Sequence, residues 1–529
     1  MEKREKRSIN ANFYMIIMVV CLFCFYFIMQ LKFVDDAWFG SDELDVFLLG
    51  KAITRGQLLY KDALSQHMPF TYYFSALFYK LGAVSASEQR MAFYAFFAII
   101  WVYIVFNYSK YIDKRILIVY PFIHCCMIQN YINGTAILSE HLAGCGAIIL
   151  LLEFISFYKR KTISLKNCVA ISFSVVLTFG TIFVAIFPLF IIGVGVIALE
   201  FRWKNEKKIP LQLWVYQMVR KYFPLIVIGS IPWCILCIYY IYTNTFKDFI
   251  FGAYVINRSY YPKYIGDFGS NIISTLFFMP IQMLGAFVTT GITEWNYDII
   301  LQWVFVLCAI LFITKIYIKD TMLSIIIALY VLSLNVRGMF NFHGTQGTAV
   351  FAFAVACVLV ECLYKNKNEF KKRRVIEQLG IAAIVIFIGS GYCRNLTKLS
   401  DITFEQENET IDSDAMKKLT DKNEPVLQLS MSFTDIMRAD RIFTGSASIT
   451  PWMWEARGEE EFEKIKENPP RVAVYTPEYS CWDYKRCDYA PSVEEFFSEN
   501  YTFIEGTNTI FVLNSYYEEA CEKLNLQVK

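Results

Sequence analysis

Five carboxylates within eleven residues are the strongest candidates for acid–base chemistry in this sequence. They follow the first long apolar stretch of the chain and are Asp35, Asp36, Asp42, Glu43 and Asp45. Loop solvation is the ordinary explanation for such a cluster. Here an apolar-periodic stretch comes directly after the carboxylates and predicts a helix along a membrane surface, with Ser41 or Asp42 at its cap. A carboxylate held there can act as a general base or a metal ligand toward a lipid-borne substrate.

A second candidate is Glu140, which occupies an apolar run near the predicted end of a helix. An ionisable residue in such a run is costly and therefore marks a functional site by default. His141 beside it and His343 in a late loop can ligate a metal or bind phosphate. A hydrogen-bonded histidine at the membrane interface is the commoner role for residues of this kind.

The elements that must position these residues lie in a membrane. A soluble globular domain usually carries about 25% charged residues, whereas this 529-residue chain has 19% charged and 56% hydrophobic residues. The apolar residues are concentrated in long runs, which excludes a soluble enzyme, a disordered chain and a fibrous repeat. The net charge of +2 gives no excess that would indicate nucleic acid as a partner. The composition predicts a polytopic α-helical membrane protein.

Eleven membrane spans are predicted, with the N-terminal tail 1–12 in the cytoplasm and the C-terminus outside. The run 167–200 is too long for one span, and we divide it at Pro188. With this division every basic cluster lies on the cytoplasmic side, as the positive-inside rule requires. Two further segments, 70–82 and 271–291, are predicted to be interfacial or re-entrant. The apolar segments lie near 13–31, 91–109, 116–130, 135–157, 167–200, 222–243, 298–316, 321–336, 346–363 and 378–393.

The main parts outside the membrane are then a first outer loop, 32–90, and the polar tail, 394–529. Short strand-like runs in the tail alternate with acidic helical stretches, which predicts a small extracytoplasmic α/β domain after the membrane module 13–393. The predicted strands are Val426–Met431, Arg471–Tyr475 and Thr509–Leu513. Cys481 and Cys487 can close a small disulfide loop if this region lies outside the cytosol.

The order of several motifs resembles the GT-C superfamily of membrane glycosyltransferases, in particular the branch of protein O-mannosyltransferases and lipid A aminoarabinose transferases. All of the motifs fall on one predicted membrane face. At Gly344 this sequence departs from the family, whose members often have a tyrosine after the histidine. The motifs are Ser41-Asp42-Glu43, Gly56-x-x-x-Tyr60-x-Asp62, Pro69-x-x-Tyr72-Tyr73, Leu138-Ser139-Glu140, Asn257-x-x-Tyr260-Tyr261, Arg337-x-x-Phe340-x-Phe342-His343 and Asn468-Pro469-Pro470.

The resemblance implies that a hexose or pentose passes from a polyprenyl-phosphate carrier to an acceptor hydroxyl at the outer membrane face, with inversion. Attack by a hydroxyl requires a base, and a carboxylate can accept the proton in a partly dry site. We assign Asp42 to that role, with Glu43 as the second candidate or as an orienting partner. The implied partners are the lipid bilayer, the lipid-linked donor and a glycan, lipid or protein acceptor.

The departing phosphate needs cations or a metal ion. Arg258, Lys263 and Arg337 lie on the correct predicted side, although each can equally serve as an interfacial anchor. Together with Glu140 and His343 they are the predicted substrate-binding residues. Tyr261 is added because an aromatic ring can stack on a sugar, although most such residues form an interfacial girdle. The resemblance leaves open whether a divalent metal ion is required.

Other functions remain open at this point. A flippase or transporter of polyprenyl-linked glycans would also have many spans, but it should place ionisable groups at mid-membrane and often has internal repeats. A polymerase or ligase would act on the same lipid-linked sugar, usually with its large functional loop late in the chain. A non-catalytic relative could use its C-terminal domain to bind surface glycan. The acids in the first outer loop favour the transferase.

Overall fold

A computed structural model describes residues 41–130, 137–265, 276, 297–334, 345–364, 409–430 and 433–527. The N-terminal tail, the first predicted span, nearly all of 271–291 and the last predicted span therefore lie outside the described residues. Contacts divide the chain into two compact units. The first consists of Met1–Phe33, Phe93–Cys234 and Gly269–Thr403, and the second of Val34–Ala92, Ile235–Phe268 and Phe404–Lys529. The predicted domain boundary at residue 393 stays a prediction.

Helices, most of them of ten or more residues, form most of the described part of the chain up to residue 364. They are α1 Ser41–Thr54, α2 Phe70–Lys80, α3 Ala86–Tyr108, α4 Lys114–Asn130, α5 Ser139–Arg160, α6 Leu165–Thr178, α7 Ile186–Glu206, α8 Leu211–Tyr242, α9 Phe246–Ile250, α10 Tyr261–Ile265, α11 Tyr297–Lys319, α12 Thr321–Ser333 and α13 Thr345–Tyr364. A 3₁₀ turn, Phe183–Ala185, precedes α7, and a π-helix, Phe251–Tyr260, joins α9 to α10.

Helix α5 lies at the centre of the first unit and is buried along most of its length. Its small residues allow this, because a Cβ at Gly146 would lie 2.6 Å from the carbonyl oxygen of Ser174 on α6. The Ser174 hydroxyl donates to the Gly146 carbonyl at 2.6 Å. Such close backbone approach through small residues is the usual way in which membrane helices associate.

The run 167–200 forms two helices, but the break precedes the predicted position. Helix α6 ends at Thr178 and α7 begins at Ile186, so Pro188 lies in the first turn of α7 rather than at the interruption. Proline is tolerated there because the N–H groups of a first turn have no intrahelical acceptor. The prediction of two helices is confirmed, and the role given to Pro188 is wrong.

Four helical segments of the described chain are long and apolar enough to cross a membrane: Ala86–Tyr108, Ser139–Arg160, Phe183–Glu206 and Leu211–Tyr242. Three shorter apolar helices, Leu165–Thr178, Thr321–Ser333 and Gly347–Glu361, accompany them. The chain is a polytopic membrane protein, as its composition predicted. The count of eleven spans and the side that each terminus faces stay predictions.

In the second unit, the predicted helix in the first outer loop is present as α1, and the predicted segment 70–82 is helical as α2. The two helices pack closely, because a Cβ at Gly50 would lie 2.2 Å from the hydroxyl oxygen of Ser75. Tyr60 and Tyr72 of the family-like motifs are fully buried.

The C-terminal part of the second unit is built on a five-stranded sheet of order β2-β1-β3-β7-β6. Strands β1, β2 and β3 are parallel, whereas β7 runs antiparallel to β3 and to β6. The strands are β1 Pro425–Leu429, β2 Ile442–Thr444, β3 Val472–Tyr475, β4 Ser480–Cys481, β5 Tyr484–Lys485, β6 Tyr501–Phe503 and β7 Ile510–Leu513. The helices are α14 Ile411–Leu419, α15 Thr434–Arg438, α16 Pro451–Met453, α17 Glu459–Glu467, α18 Arg486–Tyr489, α19 Pro491–Asn500 and α20 Tyr517–Lys523.

The three strands that the sequence predicted correspond to β1, β3 and β7. A π-helix, Trp454–Gly458, precedes α17. The sheet core includes Leu427, Phe462 and Phe497. Strands β4 and β5 form a separate two-stranded hairpin. Cys481 and Cys487, which could have closed a small loop, are both free thiols.

Candidate functional site

The acidic pair Asp42–Glu43 lies in the first turn of α1, which begins at Ser41. Residues before Ser41 lie outside the described part of the chain, so the predicted cap at Ser41 or Asp42 stays a prediction. The two side chains have opposite environments: Asp42 is exposed and Glu43 is fully buried. Because successive helical residues are about 100° apart, adjacent carboxylates must point in different directions. A carboxylate in a first turn also faces the positive end of the helix dipole.

Glu43 is held by Arg90 at the beginning of α3. The Arg90 Nε and Nη2 groups donate to Oε1 and Oε2 at 2.8 and 2.6 Å, and both side chains are buried. A bidentate pair of this kind fixes geometry as well as charge. The arrangement favours the orienting role for Glu43, since its carboxylate oxygens are enclosed by the guanidinium.

Asp45 is a member of the acidic cluster that was not chosen from the sequence. It is half-buried, and its Oδ2 accepts a hydrogen bond from the Tyr72 hydroxyl at 3.0 Å. The Tyr72 and Ser65 hydroxyls are hydrogen-bonded at 2.7 Å. Burial raises the pKa of the Asp45 carboxyl to about 7, and the negative charge of Asp42 adds to this increase. The signal was present in the sequence, because residues three apart lie on one helical face.

The hairpin formed by β4 and β5 lies within electrostatic reach of Asp42. Burial raises the pKa of the Cys481 thiol to about 11, and the charge of Asp42 contributes in the same direction. The sequence contained no indication that the charge of Asp42 acts on a segment more than 400 residues further along the chain.

Lys263 and Tyr261 lie in α10, beside an aromatic cluster that consists of Trp452, Trp482, Tyr264 and Tyr484. Lys263 forms an ion pair with Glu455 and lies 5.1 Å from the centre of the Tyr260 ring. Tyr261 meets the buried Trp452 edge to face at 5.2 Å. Part of the Lys263 charge is thus already matched within the protein, whereas Tyr261 borders the aromatic cluster.

Arg258 is exposed on the π-helix Phe251–Tyr260. Segments of π-helix are rare and are frequently associated with functional sites. The π-helix also approaches the first outer loop, because Asn257 donates to the Gln66 carbonyl. A Cβ at Gly252 would lie 2.5 Å from the Ser65 carbonyl oxygen. The structure therefore brings the motifs at Asp42 and Asn257 into one compact unit.

Glu140 belongs to the first unit, where it is half-buried in the first turn of α5. The neighbouring His141 is buried, and its Nδ1 accepts the backbone N–H of Leu138 at 3.3 Å. That hydrogen bond supports the structural role for His141. Arg337 and His343 lie outside the described residues, so their predicted roles stay predictions.

The glycine–tyrosine–aspartate motif shapes the loop that follows α1. Gly56 and Tyr60 have positive φ values of 94° and 71°. The buried Tyr60 hydroxyl donates to the His67 carbonyl at 2.7 Å, and Asp62 Oδ2 accepts the Leu58 N–H at 2.7 Å. A non-glycine residue with left-handed backbone persists only where its surroundings hold it. The motif therefore fixes the conformation of this loop.

Among the described residues, no group of three or more His, Cys, Asp and Glu side chains is arranged to hold a metal ion. Within that part of the chain, the candidate site consists of the carboxylates on α1 and the aromatic cluster near the hairpin.

No known protein family matches the sequence, and no curated protein matches it. Solved structures do match it. ArnT from Cupriavidus metallidurans bound to undecaprenyl phosphate aligns with a TM-score of 0.50 and 11% identity, over 94% of this chain and 97% of its own. An oligosaccharyltransferase from Archaeoglobus fulgidus, tethered with an acceptor peptide, aligns with a TM-score of 0.48 and 13% identity, over 94% of this chain and 74% of its own.

The similarity to ArnT extends over almost the whole of both chains. At 11% identity it concerns the fold alone. The GT-C resemblance that the sequence indicated is confirmed at this level.

Proposed function

We propose that this chain is a glycosyltransferase that moves a sugar from a polyprenyl-phosphate carrier to an acceptor hydroxyl, with Asp42 as the general base. The observation that carries the proposal is the different exposure of the two adjacent carboxylates in α1. Glu43 is buried against Arg90, which fixes the helix start, while Asp42 is exposed at the same turn. A general base must be accessible to the proton that it accepts, and Asp42 meets this condition.

The reaction is a single displacement at the anomeric carbon. The acceptor oxygen forms the new bond, its proton passes to the Asp42 carboxylate, and the bond from the anomeric carbon to the carrier phosphate breaks with its electrons on the phosphate oxygen. Such a displacement inverts the anomeric configuration. Cations beside the departing phosphate lower the barrier. Arg258 is the exposed arginine proposed for that role among the described residues, and Arg337 is a further candidate.

The nature of the donor is supported by the structural neighbour. ArnT was crystallised with undecaprenyl phosphate, and its alignment with this chain covers 94% of the residues. A polyprenyl phosphate is therefore the proposed carrier. The site would work at the extracytoplasmic face, where the positive-inside rule places the first outer loop.

Asp42→Asn tests the proposed base. Loss of general-base catalysis typically costs about 10²–10⁴-fold in rate, so we expect transfer by the variant to fall at least 100-fold. The measurement is the release of polyprenyl phosphate, and the appearance of glycosylated product, from membranes supplied with their native lipid-linked sugars. Thermal stability of the purified variant should match that of the wild type, because the Asp42 side chain is exposed.

The matched control is Asp421→Asn, the same chemical change at another exposed aspartate. It should leave the transfer rate unchanged. A fully active, correctly inserted Asp42→Asn protein would refute the assigned base. Movement of the carrier across the bilayer without a new glycosidic bond would identify a flippase instead.

A further inference from the structure

We infer that the hairpin Ser480–Lys485 presents Trp482 as a carbohydrate-binding platform in the compact unit that carries Asp42, so that the acceptor hydroxyl belongs to a glycan. This inference rests on the proposed transferase function and names the class of its acceptor. It depends on the construction of the hairpin, on the support beneath the indole ring and on the contact of that support with Tyr261.

The hairpin holds Trp482 in a conformation that a tryptophan does not favour. Strands β4 and β5 pair through Ser480 with Lys485 and through Cys481 with Tyr484, which leaves Trp482 and Asp483 in the turn. Trp482 has a φ of 54°, in the left-handed region that costs a non-glycine residue about 1–2 kcal/mol. It is nevertheless a tryptophan, and it is 58% exposed. Strain and exposure of a large aromatic residue at one position indicate a function for its ring.

The indole ring is supported by other aromatic residues. Its centre lies 5.4 Å from that of Trp452, with the planes tilted by 37°, and Trp452 itself is buried. Tyr261 and Tyr264 pack against Trp452, and Tyr264 also meets Tyr484 edge to face at 5.2 Å. Such pairs hold rings in defined orientations. Trp482 is therefore a braced ring rather than a loose side chain on a loop.

An exposed indole that neighbouring rings hold in place can bind a sugar ring. The C–H groups of a pyranose form an apolar face with slight positive charge, and this face packs on the negative π-face of the indole. Polar groups for the sugar hydroxyls surround the platform: Asp483 and Lys485 are exposed, and Tyr484 is 37% exposed. An apolar surface bordered by a few polar groups is the usual composition of a small-molecule site.

The platform adjoins a residue already proposed to bind the substrate. Trp452, which supports the indole ring of Trp482, also packs against Tyr261 at 5.2 Å. Asp42 belongs to the same compact unit, and its charge contributes to the raised pKa of the Cys481 thiol. Insertion of Trp482 into the bilayer is a poorer explanation, because the adjacent Asp483 and Lys485 would be costly to bring into hydrocarbon.

The test measures saccharide binding by the full-length protein in detergent. The probes are linear hexasaccharides of glucose, mannose and N-acetylglucosamine, with a serine-containing hexapeptide for comparison. We expect at least one hexasaccharide to bind, and Trp482→Gly to weaken that binding at least tenfold. Glycine accommodates a positive φ, so this variant keeps the hairpin while removing the ring. Trp482→Phe should retain binding within about threefold, because it preserves an aromatic face.

Phe503→Ala is the matched control, because Phe503 is another exposed aromatic residue, 37% exposed on β6. It should bind the hexasaccharide as the wild type does. Binding should also persist in Asp42→Asn, which separates this inference from the assignment of the base. Failure of all three hexasaccharides to bind, equal binding by Trp482→Gly, or preferential binding of the peptide through Trp482 would each overturn the proposal.

Discussion

At the scale of single residues, the start of α1 separates three carboxylates by environment. Asp42 is exposed, Glu43 is paired with Arg90, and Asp45 is half-buried beneath Tyr72. Carboxylates held in different surroundings can take different roles in an acid–base site. Asp42 and Asp45 lie three residues apart and therefore share a helical face.

Asp45 should give the protein a measurable pH dependence near neutrality. Because its pKa is raised to about 7 in the folded protein, the folded state keeps a proton that the unfolded state releases above about pH 4. The free energy of unfolding therefore decreases as the pH rises through this window. Asp45→Asn cannot ionise but still accepts from Tyr72. We expect its melting temperature to decline less between pH 5 and 8 than that of the wild type.

The comparison is made by thermal unfolding in detergent at several pH values. Asp421→Asn again serves as the control, and its melting temperature should depend on pH as that of the wild type does. If the melting temperatures of Asp45→Asn and the wild type change equally with pH, Asp45 ionises in its ordinary pH range. In transfer assays, an inflection of the rate near pH 7 should disappear in the Asp45→Asn variant.

At the scale of elements, ion pairs with Asp440 anchor the C-terminal end of α1. The buried Lys51 lies 3.3 Å from Asp440, and Arg55 lies 2.5 Å from the same carboxylate oxygen. Burial lowers the pKa of Lys51 to about 8, and the charge of Asp440 opposes that decrease. Together with the Glu43–Arg90 pair, this network fixes both ends of the helix that carries Asp42.

Asp440→Asn should destabilise this anchor. Removing one partner of a buried ion pair leaves the other charge uncompensated, which costs about 3–5 kcal/mol when both are enclosed. Asp440 is about one-third exposed, so we expect a smaller loss of about 2 kcal/mol. Asparagine keeps the left-handed backbone at this position, where φ is 55°. The measurement is chemical unfolding in detergent, together with the transfer rate.

Lys422→Gln is the control for the anchor, because Lys422 also contacts Asp440 at 3.3 Å but is 75% exposed. An exposed pair contributes about 0–1 kcal/mol, so this variant should be close to wild type. Equal stability of Asp440→Asn and the wild type would mean that the buried Lys51 does not depend on its partner. The double variant Lys51→Met with Asp440→Asn should recover part of the loss, since the buried charge of Lys51 is removed together with its partner.

At the scale of the whole molecule, the order of membrane spans decides which face carries the proposed site. Basic clusters such as 159–161 and 202–208 define the predicted cytoplasmic side. A phosphatase fused after Lys529 should therefore be active outside the cytoplasm, and a fluorescent protein there should remain dark. The control is a fusion after Lys208, between α7 and α8, which should give the opposite result. Cytoplasmic reporter activity after Lys529 would overturn the span count.

The sequence by itself determined the class of the molecule and most of its elements. Apolar runs long enough for a bilayer predicted the helices, and alternation in the tail predicted the strands now seen as β1, β3 and β7. These patterns are local, because periodicity along one segment reports which of its faces is buried. The acidic cluster and its helix were predicted for the same reason.

Only the tertiary structure decided which residues meet. Glu43 pairs with Arg90, and Asp45 accepts a hydrogen bond from Tyr72. Trp482 packs on Trp452, which also contacts Tyr261. Each of these contacts joins segments that are distant in the sequence. No local pattern specifies such contacts, since they depend on how helices and strands pack in space. The raised pKa of Asp45 follows from that packing, because burial requires neighbours from other segments. The same packing encloses Glu43 and leaves Asp42 exposed, although the two carboxylates are adjacent in the chain.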